Sequence, residues 1–489
     1  MLSALMVLGL GLVTLFPAVE RLPVLDPREM AALAAAANDP EWWHALLGLA
    51  GEDAFTARLP ELALVLLAIN FWHLTSLRTV GVTAATLAAF VLLVSAPITL
   101  AAAQATGDGV AVLAACLGFA GLLRAETRAD PIAAAMLWGA VALAFIGGQA
   151  VIAMALVVVV LARATLAPGG LRRDRRHLAV AVVVLAAMGA IDAATGSDAL
   201  GVGLAQLALI GDWRTTALIF PIAAISLLPV LPFALQRASA GSGPDDAPAI
   251  DRLCVIAAGA PLPLVVLLPW HATSALVAVL PPLALLVARA ALNPVMPRGG
   301  DARRLSALML CLWAAAVGLL AAAALALPSW LGDGRDVLSA VAAVAALCVA
   351  ALTVQWCRRA ALSQALLGSI LTAMLLGSAA LDAMTDLGPR LAPQVARALA
   401  GPGGAMVLAP TPAPASHRPV DVATAIAALA ADGGLRIVVD AIDRDRLLAA
   451  ASAAGLPVFE AARADAVDLW RHGHPRATSL IAIAAAPER

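Results

Sequence analysis

The sequence predicts an all-α polytopic membrane protein of about 13 transmembrane helices, with a small C-terminal α/β domain outside the membrane. Three observations carry this. Hydrophobic residues make up 62% of the 489 residues, only 13% are charged, and the mean hydropathy is +0.93. A soluble globular domain is about half apolar and about a quarter charged, so the excess exceeds what a core needs. Apolar runs long enough to cross a bilayer recur along the first 380 residues. Beyond them the composition changes to a Gly/Pro-rich linker and alternating strand-like segments.

The apolar runs fall near 2–19, 59–77, 80–101, 109–123, 131–147, 149–166, 177–194, 215–236, 253–270, 272–291, 305–327, 336–357 and 361–380. Residues 1–380 are therefore expected to form the membrane bundle, with a first outer loop over 20–58. The 131–166 pair is joined by little more than Gly147 and Gly148. The first run, Met1 to Ala18, lacks a basic flank and a small-x-small cleavage site, so it reads as an uncleaved span. Neither duplicated halves nor paired broken spans of the inverted-repeat kind are evident.

Arginine placement gives the orientation. All 31 basic residues are Arg, and with the N-terminus in the cytoplasm 16 of them fall in inner loops and 5 in outer loops before the tail. That bias obeys the positive-inside rule. "LRRDRRH", Leu171 to His177, is the strongest cytoplasmic marker. An odd number of spans then puts residues 381–489 on the periplasmic side of a bacterial inner membrane. The absence of Lys and Tyr fits the codon usage of a GC-rich bacterial genome. In the tail, "LRIVVDA" reads as a buried strand, "DRDRLLAAASAAG" as a helix ending at Gly455, and "LPVFEAA" and "ATSLIAIAAA" as further strands. "RHGHP" reads as a surface loop. The net charge of -1 gives no reason to expect a nucleic-acid partner. The five Cys lie in or beside apolar runs without CxxC spacing, as small lipid- or core-facing residues rather than disulfides or metal ligands.

Ionisable groups inside or at the ends of spans are costly, so the few present are informative. Asp26 and Glu29 follow span 1, Asp108 opens span 4, Asp192 ends span 7, Asp212 and Arg214 flank Trp213 at span 8, and His271 lies between spans 9 and 10. Arg58 precedes span 2 in "ARLPEL". All fall on the expected outer side. Each has a plainer reading too: Asp26 as the N-cap of "PREMAALAAAA", Asp108 as the N-cap of span 4, His271 and the Trp42–Trp43 pair as interfacial anchors. Glu61 pairs with Arg58 at i, i+3 in that reading.

The ordered set "LDPREM", "DPEWW", "ARLPELALVLL", "SAPITLAAAQATGDGVAVLAACLGFAGLLRA" and "VLPPLALLVARAAL" resembles the GT-C membrane glycosyltransferases of the protein mannosyltransferase and aminoarabinose transferase (family 39-like) type. The resemblance covers roughly residues 1–300 in order. It implies sugar transfer from a polyprenyl-phosphate donor to an envelope acceptor (lipid, glycan or protein) at the outer face. It makes Asp26 the first-loop acid, Glu29 its acidic neighbour and Asp108 the acid that opens the fourth span. Arg58 matches the Arg of the family's "RLP" stretch, and Arg58, Arg214 and His271 are the candidates to bind the phosphate. Asp26 would act as base directly, or with Asp108 through a divalent cation. Pro27 and Arg28 separate the acids that the family has adjacent, and "FIGGQA" stands where the family has Thr-Lys-Gly. These departures keep a second reading open, a non-catalytic relative that assists envelope polysaccharide assembly. A transporter or flippase is a third, disfavoured by nearly charge-free span interiors.

Overall fold

A computed structural model describes residues 2–21, 54–104, 106–127, 131–166, 177–184, 186, 249–267, 272–292, 300–330, 337–387, 405–407, 422–431, 436–440, 444–468 and 476–485. The expected span at 215–236 and nearly all of the first outer loop lie outside these residues, as does the second half of the expected span at 177–194. The chain divides into two compact units. The larger holds the helices up to Asp382, and the smaller the residues from Ala383.

The larger unit is a helical bundle, because a bilayer offers backbone N–H and C=O groups no water and a helix satisfies them within one segment. Its elements are α1 (Leu2–Arg21), α2 (Ala54–Val80), α3 (Val82–Leu93), α4 (Ala96–Ala103), α5 (Asp108–Thr127), α6 (Pro131–Ile146) and α7 (Ala150–Leu166). After these come α8 (Ala249–Gly259), α9 (Leu262–Leu267), α10 (Ala272–Leu292), α11 (Gly300–Trp330), α12 (Val337–Arg358) and α13 (Leu362–Leu387). Among the described residues seven helices are long and apolar enough to cross a membrane, and eight if α3 and α4 count as one bent span. The chain is a multi-pass membrane protein.

Two expected spans prove to be broken. The run at 80–101 is α3 and α4, bent by 62°. Pro97 sits in the first turn of α4, where it has no N–H to continue the α3 ladder. Ser95 Oγ donates to the Val91 carbonyl at 2.7 Å, so one carbonyl released at the break is satisfied inside the protein. The run at 253–270 divides into α8 and α9 around Pro261, with Pro263 following in α9.

The turn between α6 and α7 is as tight as the sequence suggests. Gly148 takes φ +72°. Its N–H donates to the Phe145 carbonyl at 3.1 Å, and the Gln149 N–H to the Ala144 carbonyl at 2.7 Å. This is the paired closure of a helix ended by a left-handed residue. Gln149 is thereby left at the entrance of α7, its carbonyl accepting from Ile152 and Ala153.

α5 packs against α2, α6, α7 and α10, and its small residues set how closely. A Cβ on Gly121 would lie 2.8 Å from the Leu137 nitrogen and 2.9 Å from the Ala133 oxygen, both backbone atoms of α6. At the end of α5 away from Asp108, Glu126 pairs with Arg163 at 3.1 Å, and Asp251 of α8 pairs with Arg289 of α10 at 2.7 Å. α11, α12 and α13 have a core of their own around Trp313, Val317, Ala343 and Leu376. Large apolar side chains face outward, Leu319 and Ile146 each 72% exposed. Such a surface suits lipid and not water.

The smaller unit is a four-stranded sheet with two helices: β1 (Ala405–Val407), α14 (Val422–Ala431), β2 (Arg436–Asp440), α15 (Arg444–Ala453), β3 (Val458–Asp468) and β4 (Arg476–Ala485). The strand order is β1-β2-β4-β3, with β1 parallel to β2 and the other pairs antiparallel. Ile437, Val439, Ile481 and Ile483 pack with Ala425, Leu429 and Leu447 of the helices. The expected strands at "LRIVVDA", "LPVFEAA" and "ATSLIAIAAA" and the helix before Gly455 are all present. β1 and α14 were not foreseen: β1 is only three residues long, and both lie in the stretch read as a linker or left unassigned.

Gly121→Val should force α5 and α6 apart and cost about 1–3 kcal/mol of stability. Gly139→Ala, on the exposed side of α6 with nothing within 4 Å, should be neutral or stabilising. Thermal denaturation of the reconstituted protein distinguishes the two.

Candidate functional site

One group of polar residues of the bundle, Arg58, Glu61, Thr106, Asp108 and Gln149, gathers where α1 ends and α2, α5 and α7 begin. They are brought together by three sequence features. Arg58 and Glu61 lie one turn apart on α2 and point inward, 2% and 0% exposed. The "TGDG" turn, Thr106 to Gly109, delivers Asp108 to the first position of α5. The Gly147–Gly148 closure places Gln149 at the start of α7.

Glu61 holds the start of α5 by its backbone. Its Oε1 accepts from the Gly107 N–H at 2.8 Å, and its Oε2 from the Gly109 N–H at 2.7 Å. The first N–H groups of a helix have no partner within the helix and carry partial positive charge. A carboxylate buried in an apolar bundle is expensive unless charge-assisted hydrogen bonds replace its water, and these two do so. The fit is close. A Cβ on Gly109 would run into Glu61 Oε2 and lie 3.2 Å from the Glu61 carbonyl oxygen.

Asp108 sits between those two N–H groups, and its own carboxylate is held from two other sides. Thr106 Oγ1 donates to Oδ2 at 2.8 Å, and Gln149 Nε2 donates to Oδ1 at 3.2 Å. Gln149 Nε2 also lies 3.3 Å from the Gly107 carbonyl oxygen. The alternative reading of Asp108 as the N-cap thus shifts by one residue. Gly107 occupies the cap and its carbonyl accepts from Val110 at 3.1 Å, while Asp108 is the first-turn acid. Asp108 is only partly buried.

Arg58 Nη1 donates to the Val19 carbonyl at 3.2 Å. Val19 lies in the last turn of α1, whose carbonyls lack partners within the helix. Arg58 therefore ties α2 to the C-terminal end of α1. Asp26, Glu29, Arg214 and His271 lie outside the described residues, as do Asp192, Asp212 and the Trp42–Trp43 pair. Among the described residues no three His, Cys, Asp or Glu side chains converge as metal ligands.

The sequence did not reveal the role of Glu61, Thr106 or Gln149. Glu61 had a visible signal, a carboxylate one turn inside an apolar run, but its partners lie 46 and 48 residues away. Gln149 carried no charge to draw attention.

Two crystal structures of ArnT from Cupriavidus metallidurans match this structure, one bound to undecaprenyl phosphate and one in the apo state. Each superposes with a TM-score of 0.59, over 98% of this chain and 97% of ArnT, at 18% sequence identity. The chain has the ArnT fold. The GT-C resemblance read from the ordered motifs therefore holds at the level of architecture, and it extends through the C-terminal unit. No family profile matches the sequence, and no curated protein does.

Gly109→Ala should push the Glu61 carboxylate off the Gly107 and Gly109 amides. Their hydrogen exchange should accelerate, while Gly377→Ala on α13, with nothing within 4 Å, should leave it unchanged.

Proposed function

We propose that this protein is a membrane glycosyltransferase that moves a sugar from a polyprenyl-phosphate donor to an envelope acceptor at the outer face of a bacterial inner membrane. The observation that carries the reading is the full-length fold likeness to ArnT, one of whose structures holds undecaprenyl phosphate. The interlinked Glu61, Thr106, Asp108 and Gln149 at the start of α5, with buried Arg58 one turn from Glu61, support it, since ionisable groups within spans mark functional sites. The arginine bias supports a cytoplasmic N-terminus and a periplasmic C-terminal unit.

In this reading Asp26 takes the proton from the acceptor hydroxyl. The acceptor oxygen bonds to the anomeric carbon as the bond from that carbon to the phosphate oxygen breaks, and polyprenyl phosphate departs with the electron pair. Arg58, Arg214 and His271 offset the charge on the phosphate, a role that the planar fork of Arg suits. Asp108 and Glu29 are the supporting acids. Asp108 keeps acceptor capacity beyond these two hydrogen bonds, so with Asp26 it would hold a divalent cation, which would orient the acceptor hydroxyl.

A second reading is an accessory protein of envelope polysaccharide assembly that keeps the fold without the chemistry. Gln149 favours it. A neutral amide lies against Asp108 in the "FIGGQA" stretch, where the family pattern carries Lys.

The test is release of undecaprenyl phosphate from sugar-linked donors by the reconstituted full chain. Asp26→Asn and Asp108→Asn should each slow it by about 100-fold or more. A wild-type rate in Asp26→Asn removes Asp26 from the mechanism. A wild-type chain that binds the donor but releases nothing supports the accessory reading.

A further inference from the structure

We propose that Glu61 is a positioning residue for the transfer step: its carboxylate straps the Thr106–Gly109 turn so that Asp108 is held in one orientation at the mouth of α5. The proposal deepens the transferase reading and rests on it.

The two oxygens of Glu61 grip the backbone on either side of Asp108, at Gly107 and Gly109. The Asp108 carboxylate is meanwhile oriented by Thr106 and Gln149. Backbone and side chain of one residue are thus fixed by groups from α2, from its own turn and from α7. Such a constellation holds a carboxylate against the drift that costs transfer rate. The two hydrogen bonds that Glu61 accepts at this turn come from backbone N–H groups, so they hold the turn while Asp108 faces the reaction. Gly109 makes the strap possible, because any larger residue would displace the carboxylate. The strap also needs a carboxylate. A Gln at this position brings one acceptor oxygen and one N–H₂, so one backbone N–H would face another donor. An Asp is one methylene too short to reach both.

A merely structural strap and a positioning strap differ in how they combine with Asp108. The experiment measures release of undecaprenyl phosphate by the reconstituted full chain for wild type, E61Q, D108N and the double variant, with amide exchange over 106–110 followed in parallel. E61Q should lower kcat about 10- to 100-fold. Its KM for the donor should stay within about twofold, because the strap acts in the transition state and not in donor binding. The double variant should be no slower than D108N, because the strap acts only through Asp108. If D108N leaves no measurable rate, Q149A replaces it, and the combined loss should fall short of the product of the single losses. E61Q should also speed exchange at Gly107 and Gly109. A wild-type kcat in E61Q overturns the proposal, and so do losses that multiply fully. A wild-type chain that releases nothing from any donor overturns the transferase reading and the positioning role with it. Faster exchange in E61Q would then identify Glu61 as a structural strap alone.

Discussion

A bilayer core cannot hydrate a polar group, so every N–H, C=O and charge placed there must find its partner within the protein. The features of this bundle that are not simple helix follow from that constraint. Where Pro97 interrupts the chain, Ser95 returns a hydrogen bond to Val91. Where α1 ends, Arg58 donates to the Val19 carbonyl. Where α5 begins, Glu61 takes two of the amides that the helix itself cannot satisfy. Where α6 turns into α7, the Gly148 closure pairs the last carbonyls and sets Gln149 in place. The polar cluster is a set of helix ends finishing one another's hydrogen bonds. Asp108 is placed as a consequence of that closure.

The rest of the bundle supplies the rigidity that such a cluster requires. α5 runs through the middle with Gly118 and Gly121 facing its neighbours, so α6 and α7 approach closely. Its far end is pinned by Glu126 and Arg163, with the Asp251–Arg289 pair between α8 and α10 nearby in kind. Large apolar side chains such as Leu319 and Ile146 also face outward, where lipid solvates them as well as a core would. The interior combines Trp72, Trp313, Leu and Ile side chains with the Ala and Gly that let helices approach.

At 18% identity the ArnT architecture is kept over nearly the whole length. A buried carboxylate straps the turn of Asp108, and an uncharged amide from α7 lies against that acid. An amide holds a carboxylate by direction, whereas a Lys would also bring an opposite charge to it.

Much of this protein was determined by its sequence alone. Long apolar runs dictate spanning helices, because nothing else hides the backbone in lipid. The change of composition near residue 380 marks the α/β unit, and period-two patterns name three of its strands. The ordered motifs named the architecture. Asp108 was visible as a charge opening a span. Tertiary structure decided the rest. Pro97 and Pro261 are plain in the sequence, but whether a proline kinks a helix or divides it depends on what packs around the break. Glu61 stands one turn from Arg58, and local spacing offers that neighbour first. Its backbone partners lie more than forty residues away, and only folding brings their amides within reach. A hydrogen bond to a backbone N–H leaves no mark on the partner's residue type, beyond the Gly109 that makes room for it.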